Sequence, residues 1–145
     1  MSSLQALFYC FTIKPWSRNV SRTLLKQPKV YLWDWSQLED KGARHENFIA
    51  SHLLKATHLW TDMGFGKYEL YFLRDKAKHE VDFLIARNDQ PWLMVEVKSS
   101  INEPISPTLN YFQKQLQAPY ALDKDQVQES ASAHSGPGII IPNAW

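Results

Sequence analysis

The sequence predicts an α/β fold, a mixed central sheet flanked by helices, and three observations lead there. Residues 81–86 and 92–97 form a pair of alternating apolar segments separated by the turn-like Arg87-Asn88-Asp89-Gln90-Pro91. Residues 42–60 carry apolar side chains at helical spacing, with Ile49, Leu53, Ala56 and Trp60 on one stripe that Phe48 and Leu54 broaden. The order along the chain is strand, helix, three strands, helix, strand, which suits helices packed on a mixed sheet rather than an all-helical or all-β design.

The elements follow in order. Lys29–Trp33 (KVYLW) reads as a strand of aromatic and β-branched residues. The helix from Gly42 to about Trp60 comes next, then a strand over Tyr68–Leu73 (YELYFL). Val81–Ala86 and Trp92–Val97 are the central pair. A second helix is expected after Pro107, through Leu109, Phe112, Leu116 and Tyr120, and a last strand over Gly138–Ile141. Residues 1–28 read as a separate leading segment: a short apolar stretch, a turn at Lys14–Asn19 and a basic run ending at Pro28.

Composition sets the outer bounds. The chain has 145 residues, 44% of them hydrophobic and 21% charged, enough apolar material for a packed core. Six tryptophans imply a dense aromatic core or a hydrophobic surface for a partner. Cys10 is the only cysteine, which excludes an internal disulfide and a cysteine zinc site. No apolar run approaches the ~18–20 residues of a membrane span, and the start lacks the features of a secretory signal, so the expectation is a cytoplasmic protein without a membrane partner. The net charge of +1 is uninformative, but Lys14, Arg18, Arg22, Lys26 and Lys29 fall in a stretch without acids. Arg18, Arg22 and Lys26 are therefore the candidate nucleic-acid contacts.

The chemistry concentrates in the central pair. On the second strand Met94, Glu96 and Lys98 share one face and Leu93, Val95 and Val97 the other. On the first, Val81, Phe83 and Ile85 share a face, and Asp82 goes with Leu84. A five-residue loop over Arg87–Pro91 pairs Ala86 with Trp92 and sets Asp82 directly opposite Glu96; a two-residue loop at Asn88-Asp89 makes the pair diagonal instead. Opposed carboxylates repel, and they call for a divalent cation, a shared proton or a nearby base such as Lys98. Glu46, in the first turns of the first helix, tilts toward its buried stripe and adds a third acid; the helix dipole alone also favours a glutamate there.

Such a set suits phosphodiester hydrolysis. A bound cation neutralises developing charge and acidifies a water, and magnesium, at ~2.0–2.1 Å from carboxylate and water oxygens, matches the donors. Asp82 and Glu96 are the candidate metal ligands, with the Val97 carbonyl, for Mg²⁺ or Mn²⁺. Glu46 is placed to orient a metal-bound water, and Lys98 to position the attacking water and stabilise charge. The competing explanation is a structural salt bridge near a sheet edge.

The segments E-V-D-F-L-I (80–85) and M-V-E-V-K-S-S (94–100) resemble the core of PD-(D/E)XK nucleases, among them archaeal Holliday-junction resolvases. Glu46, Asp82, Glu96 and Lys98 fall in order onto that pattern of an acid on a first helix, an aspartate on a strand and E-x-K on the next. A wider resemblance is carried by P-K-V-Y-L-W-D (28–34), G-A-R-H-E-N-F-I-A-S-H-L-L-K (42–55), Y-F-L-R-D-K (71–76), H-E-V-D-F-L-I (79–85) and E-V-K-S-S (96–100). These look like the uncharacterised C-terminal domain of a prokaryotic AAA+ ATPase family, in which an ATPase module and a winged helix come first. The resemblance implies a restriction-endonuclease-like core over 29–145 and a winged-helix remnant over 1–28. It implies catalytic roles for Glu46, Asp82, Glu96 and Lys98, and DNA or an ATPase supplied in trans as partners. The sequence departs from that family in lacking a G-x-x-x-x-G-K-[ST] phosphate loop, so no nucleotide-binding site of its own is expected.

Other motifs fail on spacing. His45-Glu46 is followed by His52, not by a histidine four residues on, which excludes a zinc-protease H-E-x-x-H. His79, Glu80 and Asp82 alternate across a strand and cannot all meet one metal. Three functions remain open from sequence: a metal-dependent nuclease-like domain, a non-catalytic accessory domain of an ATPase, and a truncated remnant of one.

Overall fold

The computed structural model describes residues 8–17, 27–98 and 106–123. Six strands form one mixed sheet in the order β2-β1-β3-β4-β5-β6. They are β1 (Cys10–Pro15), β2 (Lys29–Leu32), β3 (Tyr68–Arg74), β4 (Glu80–Arg87), β5 (Gln90–Glu96) and β6 (Tyr120–Asp123), with helices α1 (Lys41–Asp62) and α2 (Pro107–Leu116). β1 runs parallel to β3 and β5 parallel to β6, while the other neighbours are antiparallel.

The two helices bury opposite faces of the sheet. α1 starts where the extended Asp40 accepts the Ala43 N–H at 2.7 Å, a side-chain N-cap. Its buried Ala50, Leu53 and Trp60 pack on Leu70, Phe72, Phe83, Ile85 and Leu93. α2 has Ser106 as its N-cap and Pro107 in its first turn, where a missing N–H costs nothing. Leu109 and Phe112 pack on Leu73, Leu84 and Met94 across the sheet. The side chains of β3 divide by parity, Leu70 and Phe72 toward α1, Tyr71 and Leu73 toward α2. Among the described residues the tryptophans serve chiefly the core: Trp60, Trp92 and Tyr68 meet edge to face at 5.2–5.8 Å between centroids.

Three local expectations change. The second helix stops at Leu116 rather than at Tyr120, because Gln117 is left-handed (φ 54°) and Pro119 cannot continue a helix; Tyr120 opens β6 instead. Residues 10–15, read as part of a leading segment, form β1 and lie inside the sheet between β2 and β3. Of the two β4–β5 loops the sequence allows, the two-residue one forms: Asn88 and Asp89 both have positive φ (50° and 63°), the mark of a type I′ hairpin. A register shift then follows, with Ala86 opposite Pro91 but Ile85 opposite Leu93. It makes up the difference, so that Phe83 faces Val95, the register expected from the longer loop. The expected strand Gly138–Ile141 lies outside the described residues, and among those described no helix is long and apolar enough to cross a membrane.

Candidate functional site

A β-bulge decides where Asp82 points. Phe83 and Ile85 pack under α1 and Leu84 under α2, as alternation requires. The next step breaks the pattern, because Val81 joins the α2 side while Glu80 and Asp82 reach Lys29 on the α1 side. The cause is a register shift against β3: Tyr71 pairs with Leu84 but Leu73 with Val81, so Asp82 and Phe83 together oppose Phe72. An extra residue of this kind re-aims a side chain. It overturns the expectation that Asp82 shares a face with Leu84.

Glu46 is brought to the same place by its neighbour. Asn47, only 2% exposed, grips the edge strand: its Oδ1 accepts the Leu32 N–H at 2.8 Å and its Nδ2 donates to the Leu32 carbonyl at 2.7 Å. Those bonds lock α1 against β2 and set Glu46 above two side chains of that strand. The Tyr31 hydroxyl donates to Glu46 Oε1 at 2.8 Å and Lys29 Nζ to the same oxygen at 3.3 Å. Lys29 also pairs with Glu80 and stands 3.9 Å from Asp82 Oδ1. Glu80 is held from its other side by Arg74, whose Nε donates to Oε2 at 2.6 Å. Both cations lie over the Phe72 ring, at 5.3 and 5.5 Å from its centroid.

The β4–β5 ladder ends at Phe83 and Val95. Beyond it the Asp82 carboxylate takes over, its Oδ2 accepting the Val97 N–H at 2.9 Å. A cleft of about 550 Å³ opens here, lined by Asp40, Lys41, His45, Glu46, Asp82 and Val97 among others. Burial pushes the Asp82 pKa up to about 6, and the charges of Glu46 and Glu96 add to the rise, against the Val97 hydrogen bond and Lys29. For Glu80 burial also acts upward, but hydrogen bonds from Lys29 and Arg74 outweigh it and hold the carboxyl below its usual value. Burial would lower the Lys29 pKa, yet Glu80, Glu46 and Asp82 together hold it above the ordinary range. The Tyr31 phenol is raised by burial and by Glu46.

Of the residues expected from sequence, Glu46, Asp82 and Val97 line this one cleft. Glu96 does not line it. Val95 and Val97 pack toward the α1 cluster and Met94 in the α2 cluster, so alternation carries Glu96 to the Met94 side. The bulge moved Asp82 and not Glu96, which still acts on Asp82 through its charge. Lys98 is buried at 5% exposure, just past the end of β5. Arg18, Arg22 and Lys26 lie outside the described residues. Sequence reasoning missed Lys29, Tyr31, Glu80 and Arg74. The available signal was K-V-Y and E-V-D, two polar residues spaced to share a strand face.

The donors suit a hard divalent cation: the carboxylate oxygens of Glu46 and Asp82 in an open cleft are of the kind Mg²⁺ or Mn²⁺ prefers. Among the described residues no three His, Cys, Asp or Glu side chains are already gathered for a metal. The Lys29 ammonium stands 3.3 Å from Glu46 Oε1 and 3.9 Å from Asp82 Oδ1.

A family model described as "Domain of unknown function (DUF4143)" matches residues 41–134. The chain belongs to this family. The DUF4143 match begins with α1 and takes in Glu46, Glu80, Asp82, Glu96 and Lys98, whereas Lys29 and Tyr31 come from β2, ahead of it. No curated protein and no solved structure matches the chain.

Proposed function

We propose that this DUF4143 chain is a PD-(D/E)XK nuclease-like domain with a restriction-endonuclease-like core, hydrolysing DNA phosphodiesters with Mg²⁺ or Mn²⁺. The observation that carries the reading is the bulge at Asp82–Phe83, which turns Asp82 into the cleft that Glu46 and Val97 also line. A strand irregularity that places an ionisable group with a raised pKa in an open cleft is a mark of functional sites.

Asp82, Glu46 and the Val97 carbonyl would hold the cation, which when bound supplies charge neutralisation and a more acidic water. Glu46, fixed by the Tyr31 hydroxyl, keeps one oxygen oriented without losing side-chain entropy at the moment of binding. Asp82 accepts from Val97 and so stays aimed into the cleft. Glu96 adds negative charge behind Asp82, and Lys98, two residues further along the chain, supplies a buried positive group. Arg18, Arg22 and Lys26 are the proposed phosphate contacts, and neutralising all three is expected to lower DNA affinity and flatten its salt dependence.

The test is cleavage of supercoiled and branched DNA with Mg²⁺ or Mn²⁺ by the 145-residue chain, beside Asp82→Asn and Glu46→Gln. Cleavage is expected in the parent and at least a hundredfold loss in Asp82→Asn. Cleavage that survives undiminished in Asp82→Asn contradicts the assignment. A second reading, a non-catalytic accessory domain for an ATPase supplied in trans, is favoured by Lys29, which already neutralises part of the cluster. It predicts DNA or ATPase binding with no cleavage in any divalent metal.

A further inference from the structure

Lys29 meets three carboxylates, and the contacts are unequal. It makes an ion pair with Glu80, a 3.3 Å contact with Glu46 Oε1 and a 3.9 Å approach to Asp82 Oδ1. Glu80 is anchored independently by Arg74, and the Phe72 ring underlies both cations. The Glu46 oxygen that Lys29 touches is also the one Tyr31 holds. One end of the lysine's environment is therefore fixed, and the other faces the acids that line the cleft.

We infer that Lys29 is the built-in competitor of the divalent cation, its ammonium standing where positive charge between Glu46 and Asp82 is needed, so that it sets the metal affinity of the site. The inference rests on the metal-dependent reading above. A divalent ion approaching Asp82 and Glu46 meets a like charge a few ångströms away, and at that range repulsion is not screened by salt. Lys29 yields by withdrawing onto Glu80 and the Phe72 ring, keeping its ion pair there while giving up the two longer contacts. The carboxylate row is thus partly neutralised without metal, and the metal binds only against that contact. In this role Lys29 is a positioning residue and touches neither the substrate nor the reacting atoms.

The side chain dictates the effect of each replacement. Lys29→Met keeps an unbranched side chain of similar length and removes the charge. Lys29→Arg keeps the charge and adds forked donors that grip carboxylates more firmly than an ammonium does.

Calorimetric titration of Mn²⁺ into the full chain tests this with the parent, Lys29→Met, Lys29→Arg and the double variant Lys29→Met/Asp82→Asn. Lys29→Met is expected to bind at least tenfold tighter than the parent, Lys29→Arg at least threefold weaker, and the double variant to lose the gain. Equal affinity in parent and Lys29→Met overturns the role of Lys29 while leaving the metal site standing. A gain in Lys29→Met that persists in the double variant overturns it as well, since the ion then sits elsewhere. Absence of binding in both parent and Lys29→Met overturns the metal reading and the inference with it. Should Lys29→Met fail to fold by circular dichroism, the comparison of Lys29→Arg with the parent decides: unchanged affinity overturns the inference and weaker affinity supports it.

Discussion

Glu80 and Asp82 sit two residues apart on one strand, reach the same lysine and behave in opposite ways. Glu80 has two cations around it, Lys29 and Arg74, and its carboxyl is held below the usual range. Asp82 has one backbone N–H, a lysine at 3.9 Å and two acids nearby, and its pKa rises to about 6. Burial acts on both in the same direction; partners decide the sign. The row is structural at Glu80 and poised at Asp82. Fully paired charges hold a fold together, while an underpaired one beside a cleft is kept at a cost that function must justify.

Removing what holds the row in place has the largest expected effect. Asn47→Ala leaves the part-buried Leu32 N–H and carbonyl without their side-chain partner. At ~1–3 kcal/mol for each group so stranded, a loss of about 2–4 kcal/mol is expected in urea unfolding, with α1 loosened from β2. A loss under half a kcal/mol would mean that the helix is set by its apolar face alone.

Glu80→Gln attacks the structural end. It takes from Lys29 and Arg74 the carboxylate they share, but all three groups keep some exposure, so the cost is below that of a fully buried pair, about 1–3 kcal/mol. The sign with pH follows from the lowered pKa: the Glu80 contribution is present above the unfolded value and fades as pH falls through the folded one. The variant is therefore expected to melt lower than the parent at neutral pH and to converge with it in acid.

Asp82→Asn attacks the other end and should act in the reverse direction. With its pKa raised, Asp82 in ionised form destabilises the fold above about pH 6, and the penalty disappears as pH falls toward the unfolded value near 4. Asparagine keeps an oxygen for the Val97 N–H. A gain of about 1–2 kcal/mol at pH 7.5, or ~2–6 °C in melting temperature, is expected, shrinking to nothing near pH 4. Lower melting at pH 7.5 would make Asp82 a structural partner of Lys29.

Tyr31→Phe gives the smallest change. It removes one hydrogen bond to Glu46 and leaves the ring stacked on Phe11 at 5.6 Å, for about 0.5–1.5 kcal/mol. Under the nuclease reading it is expected to weaken cleavage more than stability suggests, because Glu46 loses its orientation.

Much of the fold was readable because it rests on local patterns. The stripe of α1, the alternation of β3, β4 and β5, and the helix after Pro107 are written in neighbouring residues. Even the Phe83–Val95 register could be reached, through the longer of the two loops considered, since the short turn that forms is followed by a shift that equals a longer turn. What escaped was non-local. The bulge at Asp82–Phe83 exists only relative to Phe72 on β3, so alternation read along β4 alone put Asp82 on the wrong face. Lys29 joins the acids across separations of 17 to 53 residues, and nothing adjacent to it announces them. β6 was hidden because Tyr120 continued the helical stripe, and only Pro119 argued against it. β1 showed its apolar character but not its partners.

The most direct test of the account is a side-chain carboxyl NMR titration of the metal-free chain, with Glu80 and Asp82 assigned through Glu80→Gln and Asp82→Asn. Asp82 is expected to titrate near pH 6 and Glu80 below its ordinary value. Asp82 titrating at or below about 4 would contradict the claim that the bulge places an underpaired acid in the cleft.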